Sequence, residues 1–131
     1  MIKITLSAIC SIFVLMVGLA WAEHPGVATT HRDAIQKAMM THIEKVTEHN
    51  ANGMYPVFDP DAKAMVQVKL IQFHNSVEIM GRATPYFVSC ADFKAEDGTL
   101  YDLDFLVSRK YAVVATLVHA KSGKKISYEI P

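Results

Sequence analysis

The stretch Tyr86-Phe87-Val88-Ser89-Cys90-Ala91-Asp92-Phe93-Lys94-Ala95-Glu96-Asp97-Gly98-Thr99-Leu100-Tyr101-Asp102-Leu103-Asp104-Phe105-Leu106-Val107-Ser108 decides the fold. Aromatic and aliphatic residues recur at every second position on both sides of Asp97-Gly98, a dipeptide typical of tight hairpin turns. The pattern predicts two antiparallel strands, Tyr86 to Glu96 and Thr99 to Ser108. A two-residue turn would pair Glu96 with Thr99, Cys90 with Phe105 and Val88 with Val107. Tyr101, Leu103, Phe105 and Val107 then share a face with Val88 and Cys90, and Cys90 reads as a small buried hydrophobe.

The opposite face of this hairpin carries Ala91, Phe93, Asp102, Asp104 and Leu106. Downstream, Tyr111 to Ala120 and Lys124 to Ile130 read as further strands, turned at Arg109-Lys110 and Ser122-Gly123. With two-residue turns there, the same face gains Val113, Ala115, Leu117, His119, Ile126, Tyr128 and Ile130. Such a face is too apolar for water and predicts a cover: a second copy, the amino-terminal arm or a ligand.

Upstream, Met54 to Asp59 forms a short strand that turns at Asp59-Pro60-Asp61. Val66 to Leu70 alternates, and its run continues irregularly toward Met80. Before these strands, Ile35, Met39, Ile43 and Val46 recur at three- and four-residue steps, the mark of an amphipathic helix. Thr30 is its expected N-cap, and Asn50-Ala51-Asn52-Gly53 its end. One long helix followed by an antiparallel meander of about five strands predicts an α+β domain, the helix lying across a curled sheet.

The chain opens Met1-Ile2-Lys3, runs apolar from Ile4 to about Gly18, and closes on Ala20-Trp21-Ala22. This is the order of a secretory signal peptide, here residues 1–22, with an uncleaved membrane anchor as the rival reading. A lipoprotein is excluded, because Cys10 sits in the middle of the apolar run. The expected mature chain, residues 23–131, is one domain with an irregular arm at 23–29, located in the periplasm or secreted. Of 13 basic and 13 acidic residues, only Lys3 leaves with the signal, so no basic excess favours nucleic acid. Removing Cys10 leaves Cys90 alone, which excludes an intramolecular disulfide.

Three readings of chemistry follow. His31, His42 and His49 are separated by 11 and 7 residues along the helix. Their rings start roughly 16 and 10 Å apart, too far to share an ion. His24, second in the mature chain, could chelate Cu(II) with the new amine, and it is the one metal candidate against an expectation of no metal and no cofactor. Asp102, Asp104 and His119 fall on the outer sheet face, where an acid and a histidine could do acid–base work. No nucleophile elbow, phosphate loop, dinucleotide fingerprint or CxxC is present.

Glu23-His24-Pro25-Gly26, together with the segment from Tyr86 to Phe93, Asp97 to Phe105 and Val118-His119, resembles a group of small exported bacterial proteins of unassigned function. The resemblance implies a helix-plus-sheet periplasmic domain and no particular activity. The expected architecture also resembles the cystatin superfamily. Its inhibitors carry Gln-x-Val-x-Gly, whereas Gln67-Val68-Lys69-Leu70-Ile71 has neither that valine nor that glycine, so the resemblance does not extend to protease inhibition. The leading functional expectation is a non-enzymatic binding or interaction module, a homodimer or the partner of another periplasmic protein. Its surface would be Phe93, Leu106, Val113, Leu117, Ile126 and Tyr128. The alternatives are a small enzyme or ligand carrier using Asp102, Asp104 and His119, and copper handling at His24.

Overall fold

A computed structural model describes residues 29–130. The expected signal segment, Cys10, the expected Glu23-His24 terminus and most of the expected arm lie outside the described residues. One helix, α1 (Thr29–His49), precedes six strands: β1 (Tyr55–Asp59), β2 (Ala64–Met80), β3 (Tyr86–Ala95), β4 (Leu100–Val107), β5 (Val113–Lys121) and β6 (Lys124–Lys125). They form one antiparallel sheet in sequence order, with one strand more than expected. The helix already includes Thr29, so Thr30 lies inside it rather than capping it.

The apolar stripe of α1 does what its spacing predicts. Ile35, Met39 and Ile43 are buried against Tyr55, Val57, Val68, Phe93, Leu103 and Phe105, with Val46 packed at the edge. Asn50 ties the helix end to the sheet, its amide donating to Met54 O and Gln67 Oε1, both at 2.8 Å. The sheet curls without closing, so β1 approaches β5. Tyr55 Oη and Thr116 Oγ1 are 2.7 Å apart, and Lys121 Nζ lies 2.6 Å from Asp59 Oδ2.

Two hairpins differ from the expected register for one shared reason. At Asp97-Gly98 the loop has three residues: Gly98 N donates to Ala95 O at 3.0 Å, and Ala95 N donates to Thr99 O at 2.9 Å. Gly98 takes φ +89°, the left-handed residue that follows a type I turn in such loops. Asp97 Oδ1 accepts the Thr99 N–H at 2.9 Å. Cys90 therefore pairs with Asp104, and Ser89 with Phe105. Phe87, Ser89, Ala91 and Phe93, not Val88 and Cys90, face the helix. The Arg109-Lys110 turn is built the same way, with Tyr111 N donating to Ser108 O at 2.9 Å and Tyr111 at φ +59°. Ser122-Gly123 is a two-residue turn with φ +48° and +79°, as expected. Beyond β6, Ile126 to Ile130 is not strand but an irregular tail.

β2 is long because it bends. Its ladder with β3 shifts between Leu70 and Gln72, and again between Phe73 and Val77. Extra residues on one strand re-aim its side chains. Here Leu70, Phe73 and Val77 all stay packed against the core. Gln36 of the helix donates to the carbonyl of His74 within the second irregularity, at 3.1 Å.

Candidate functional site

The outer face of β3 and β4 holds Val88, Cys90 and Asp92 opposite Leu106, Asp104 and Asp102. Its apolar pair is already covered: Val88 and Leu106 are each 5 % exposed. Part of the cover is the chain's own tail, since Ile126, Ser127 and Tyr128 line a cleft of about 520 Å³ together with Val88, Cys90 and Asp104. The continuous apolar surface expected of residues 86–130 is therefore corrected. Phe93 is wholly buried on the helix side, and Val113 pairs with buried Val107 and packs on the core. Leu117 is half-buried opposite Asp104.

Asp102, Asp104 and His119 converge in this cleft. A two-residue turn at Arg109-Lys110 would put Leu117 opposite Asp102. In the structure Leu117 lies opposite Asp104, and an irregularity after Asp102 sets Asp102 against Ala120. The parity of β4 nevertheless survives, because alternating Tyr101, Leu103, Phe105 and Val107 fill the core and force both acids outward.

Asp104 is the hub. Its side chain is 4 % exposed and accepts three bonds: from Cys90 Sγ at 2.7 Å, from His119 Nδ1 at 2.9 Å, and a short one from Tyr128 Oη. In the pair with the Asp104 carboxylate, His119 is the donor, through Nδ1, because a carboxylate oxygen accepts. Burial pushes the Cys90 thiol well above its usual range, and the bond to Asp104 and the charges of Asp104, Asp102 and Glu78 add to this. Burial, then the Asp104 bond and charge, likewise raises the Tyr128 phenol, so both groups remain donors.

Asp102 is the opposite case. Among the described residues its Oδ1 is buried without a hydrogen-bond partner. Burial raises its carboxyl; nearby His74 and His119 pull it down, and Asp104 and Asp92 push it up. A second cleft of about 530 Å³ adjoins the first through Asp102, His119 and Lys125, with Ile71 and Leu100 on its wall.

Two members of the site, His74 and Cys90, are not among the site residues that the sequence points to. His74 comes from the irregular part of β2, where periodicity gives no face. Its Nε2 lies 2.9 Å from Asp92 Oδ1, whose other oxygen accepts from Gln72 Nε2 at 2.8 Å. Cys90 was placed on the helix face by the assumed hairpin register. A ligand nitrogen of His74, the sulfur of Cys90 and a carboxylate oxygen of Asp102 all lie within 4.8 Å of one another. The helix histidines do not join them: His31 pairs with Tyr111, His42 with Tyr55, and His49 with the carbonyl of Lys45.

The chain matches no protein-family model, and no curated protein or solved structure matches it. None of the described helices is long and apolar enough to cross a membrane. The class these features define is an α+β domain with a polar, acid-rich cleft on the open face of its sheet.

Proposed function

We propose that this chain is an exported, non-enzymatic ligand-binding module whose site is the outer-face cleft. One observation carries the reading: Asp102, Asp104 and His119 converge in a cleft where Asp102 Oδ1 is buried and unpaired. A buried carboxylate oxygen without a donor is costly, and a ligand that supplies a donor or a positive charge removes that cost. Glu78, Asp92, Asp102 and Asp104 around the two clefts outnumber Lys125, which favours a cationic or donor-rich ligand. The export half of the reading rests on residues 1–22.

Native and denaturing mass spectra of the protein from its own compartment test this. A mass retained only in the native spectrum, and lost in Asp102→Asn and His119→Ala, is the expected result. Identical native and denatured masses would sink the reading.

A second reading, contact with another copy of the chain, draws on Ile71 and Leu100, each 51 % exposed beside the adjoining cleft. Light scattering should then return a dimer that Leu100→Glu disperses; a monomer at all concentrations removes it.

A further inference from the structure

We propose that the ligand of the outer cleft is a divalent metal ion of the zinc class, held by His74, Cys90 and Asp102. The inference rests on the cleft being the binding site and departs from the expectation of no metal.

Geometry comes first. The three donor atoms lie within 4.8 Å of one another and come from three adjacent strands, β2, β3 and β4. Tetrahedral zinc holds sulfur and nitrogen ligands about 3.5 Å apart, so closing the set needs movements of about 1.3 Å or less. Side-chain rotation on a rigid sheet supplies that.

The donor types select the metal. One sulfur, one imidazole nitrogen and one carboxylate oxygen suit a borderline ion, whereas calcium and magnesium take oxygen sets. Three protein ligands leave a fourth position in the open cleft, which His119 also lines.

The surroundings are those of an oriented ligand set. Asp92 holds His74 through Nε2 and is itself held by Gln72. With Asp92 on Nε2, the ion would take His74 Nδ1, and a carboxylate on the other nitrogen of a metal-binding histidine fixes its tautomer and its ring direction. Asp102 Oδ1 has no hydrogen-bond partner, as suits an oxygen reserved for a cation. Cys90 presently donates its thiol proton to Asp104. Binding forms a metal–sulfur bond, breaks the S–H bond and releases one proton to solvent, with no change in oxidation state.

Cobalt(II) titration of the purified protein tests the proposal, because a cobalt–thiolate bond gives a near-ultraviolet charge-transfer band. The expected result is a band that saturates at one ion per chain and is bleached by added zinc(II). Cys90→Ser should abolish the band with the far-ultraviolet circular dichroism unchanged. Asp92→Asn, which touches no metal, should weaken cobalt binding by about 10- to 100-fold. No band, or a band that persists in Cys90→Ser, overturns the proposal. A protein that keeps an organic adduct in native mass spectra and gives no cobalt band overturns the metal alone. Loss of both signals overturns the cleft reading beneath it.

Discussion

Cys90 lies directly opposite Asp104 in the β3–β4 ladder, and its thiol donates to Asp104 Oδ1 at 2.7 Å. A donor on one strand and an acceptor on the next meet because the three-residue loop at Asp97-Gly98 moves the pairing by one residue. The same carboxylate binds His119 from β5 and Tyr128 from the tail. Three segments of chain thus converge on one buried carboxylate of β4.

The first prediction concerns reactivity. Burial, the bond to Asp104 and the surrounding carboxylates all favour the protonated thiol, and thiolate is the reactive form. Metal-free protein should be alkylated at Cys90 by iodoacetamide at pH 8 at least about tenfold more slowly than free cysteine, since each unit of pKa is a tenfold change in thiolate. Asp104→Asn removes the neighbouring charge and should speed the reaction. Peptide mapping of an alkylation time course reads both rates, and a Cys90 as reactive as free cysteine would contradict the assigned environment.

The sequence disclosed the helix, its buried stripe and the meander, because each rests on local periodicity that tertiary contacts only reinforce. Loop length was not legible at Asp97-Gly98. An aspartate followed by glycine serves a two-residue turn and a three-residue loop equally well. Here the Asp97 carboxylate bonds the Thr99 amide, and the longer loop results. One residue of error sent Phe93 outward and Cys90 inward in the reading, the reverse of their places. Asp102 and Asp104 keep their face because β4 alternates too strongly to be inverted, and His119 keeps its face because the irregularity between Leu106 and Val107 offsets the extra residue of the preceding loop. His74 was invisible for another reason: the irregularities of β2 erase the period that would assign it a side.

Gly98 offers a direct test of the loop. A side chain there would meet nothing within 4 Å, so only the left-handed backbone at φ +89° resists substitution. Gly98→Ala should cost about 1–2 kcal/mol, the usual penalty for an L-residue in that region. Tyr111 holds the equivalent place in the next hairpin at φ +59°, and its ring stacks on Phe87 with centroids 6.2 Å apart. Tyr111→Gly relieves the backbone and loses the stack, worth about 0.5–1.5 kcal/mol, so its net effect should be smaller than that of Gly98→Ala. Urea midpoints at unchanged slope measure both; a neutral Gly98→Ala would argue against the three-residue loop.

Asp59, on β1, governs acid stability through its bonds to Tyr101 and Lys121. It is fully buried, and burial alone would raise its carboxyl. Bonds from Lys121, Tyr101 and the Ala62 and Asp61 amides win and hold it at about 2, below the ordinary 3.8. A depressed folded value means the stabilisation is complete above the unfolded value and is lost as pH falls from about 4 toward 2. Asp59→Asn should cost about 2 kcal/mol at neutral pH, as loss of charged hydrogen bonds does. It should also flatten the acid limb of the stability curve, as followed by thermal melts from pH 2 to 7. An unchanged acid limb would show that the Asp59 carboxylate does not set it.

Tyr128 decides how the tail holds the cleft. Its hydroxyl donates to Asp104 Oδ2, and Ile126 N donates to His119 O at 2.8 Å, so the tail is fastened on both sides of the Asp104–His119 pair. Tyr128→Phe keeps the ring and deletes the donor, leaving Asp104 with Cys90 and His119. A lost hydrogen bond to a charged group costs about 1.5–3 kcal/mol when its partner stays buried. Asp104 keeps two donors, so the lower end applies. The loss should fall mainly on the tail: amide exchange at Ser127 to Ile130 should quicken, while exchange in β3 and β4 stays slow. Cys90, lining the same cleft as Tyr128, should then be alkylated faster than in the unmodified protein. Slow exchange throughout the tail in Tyr128→Phe would mean that apolar packing of Ile126, rather than this bond, holds the segment in place.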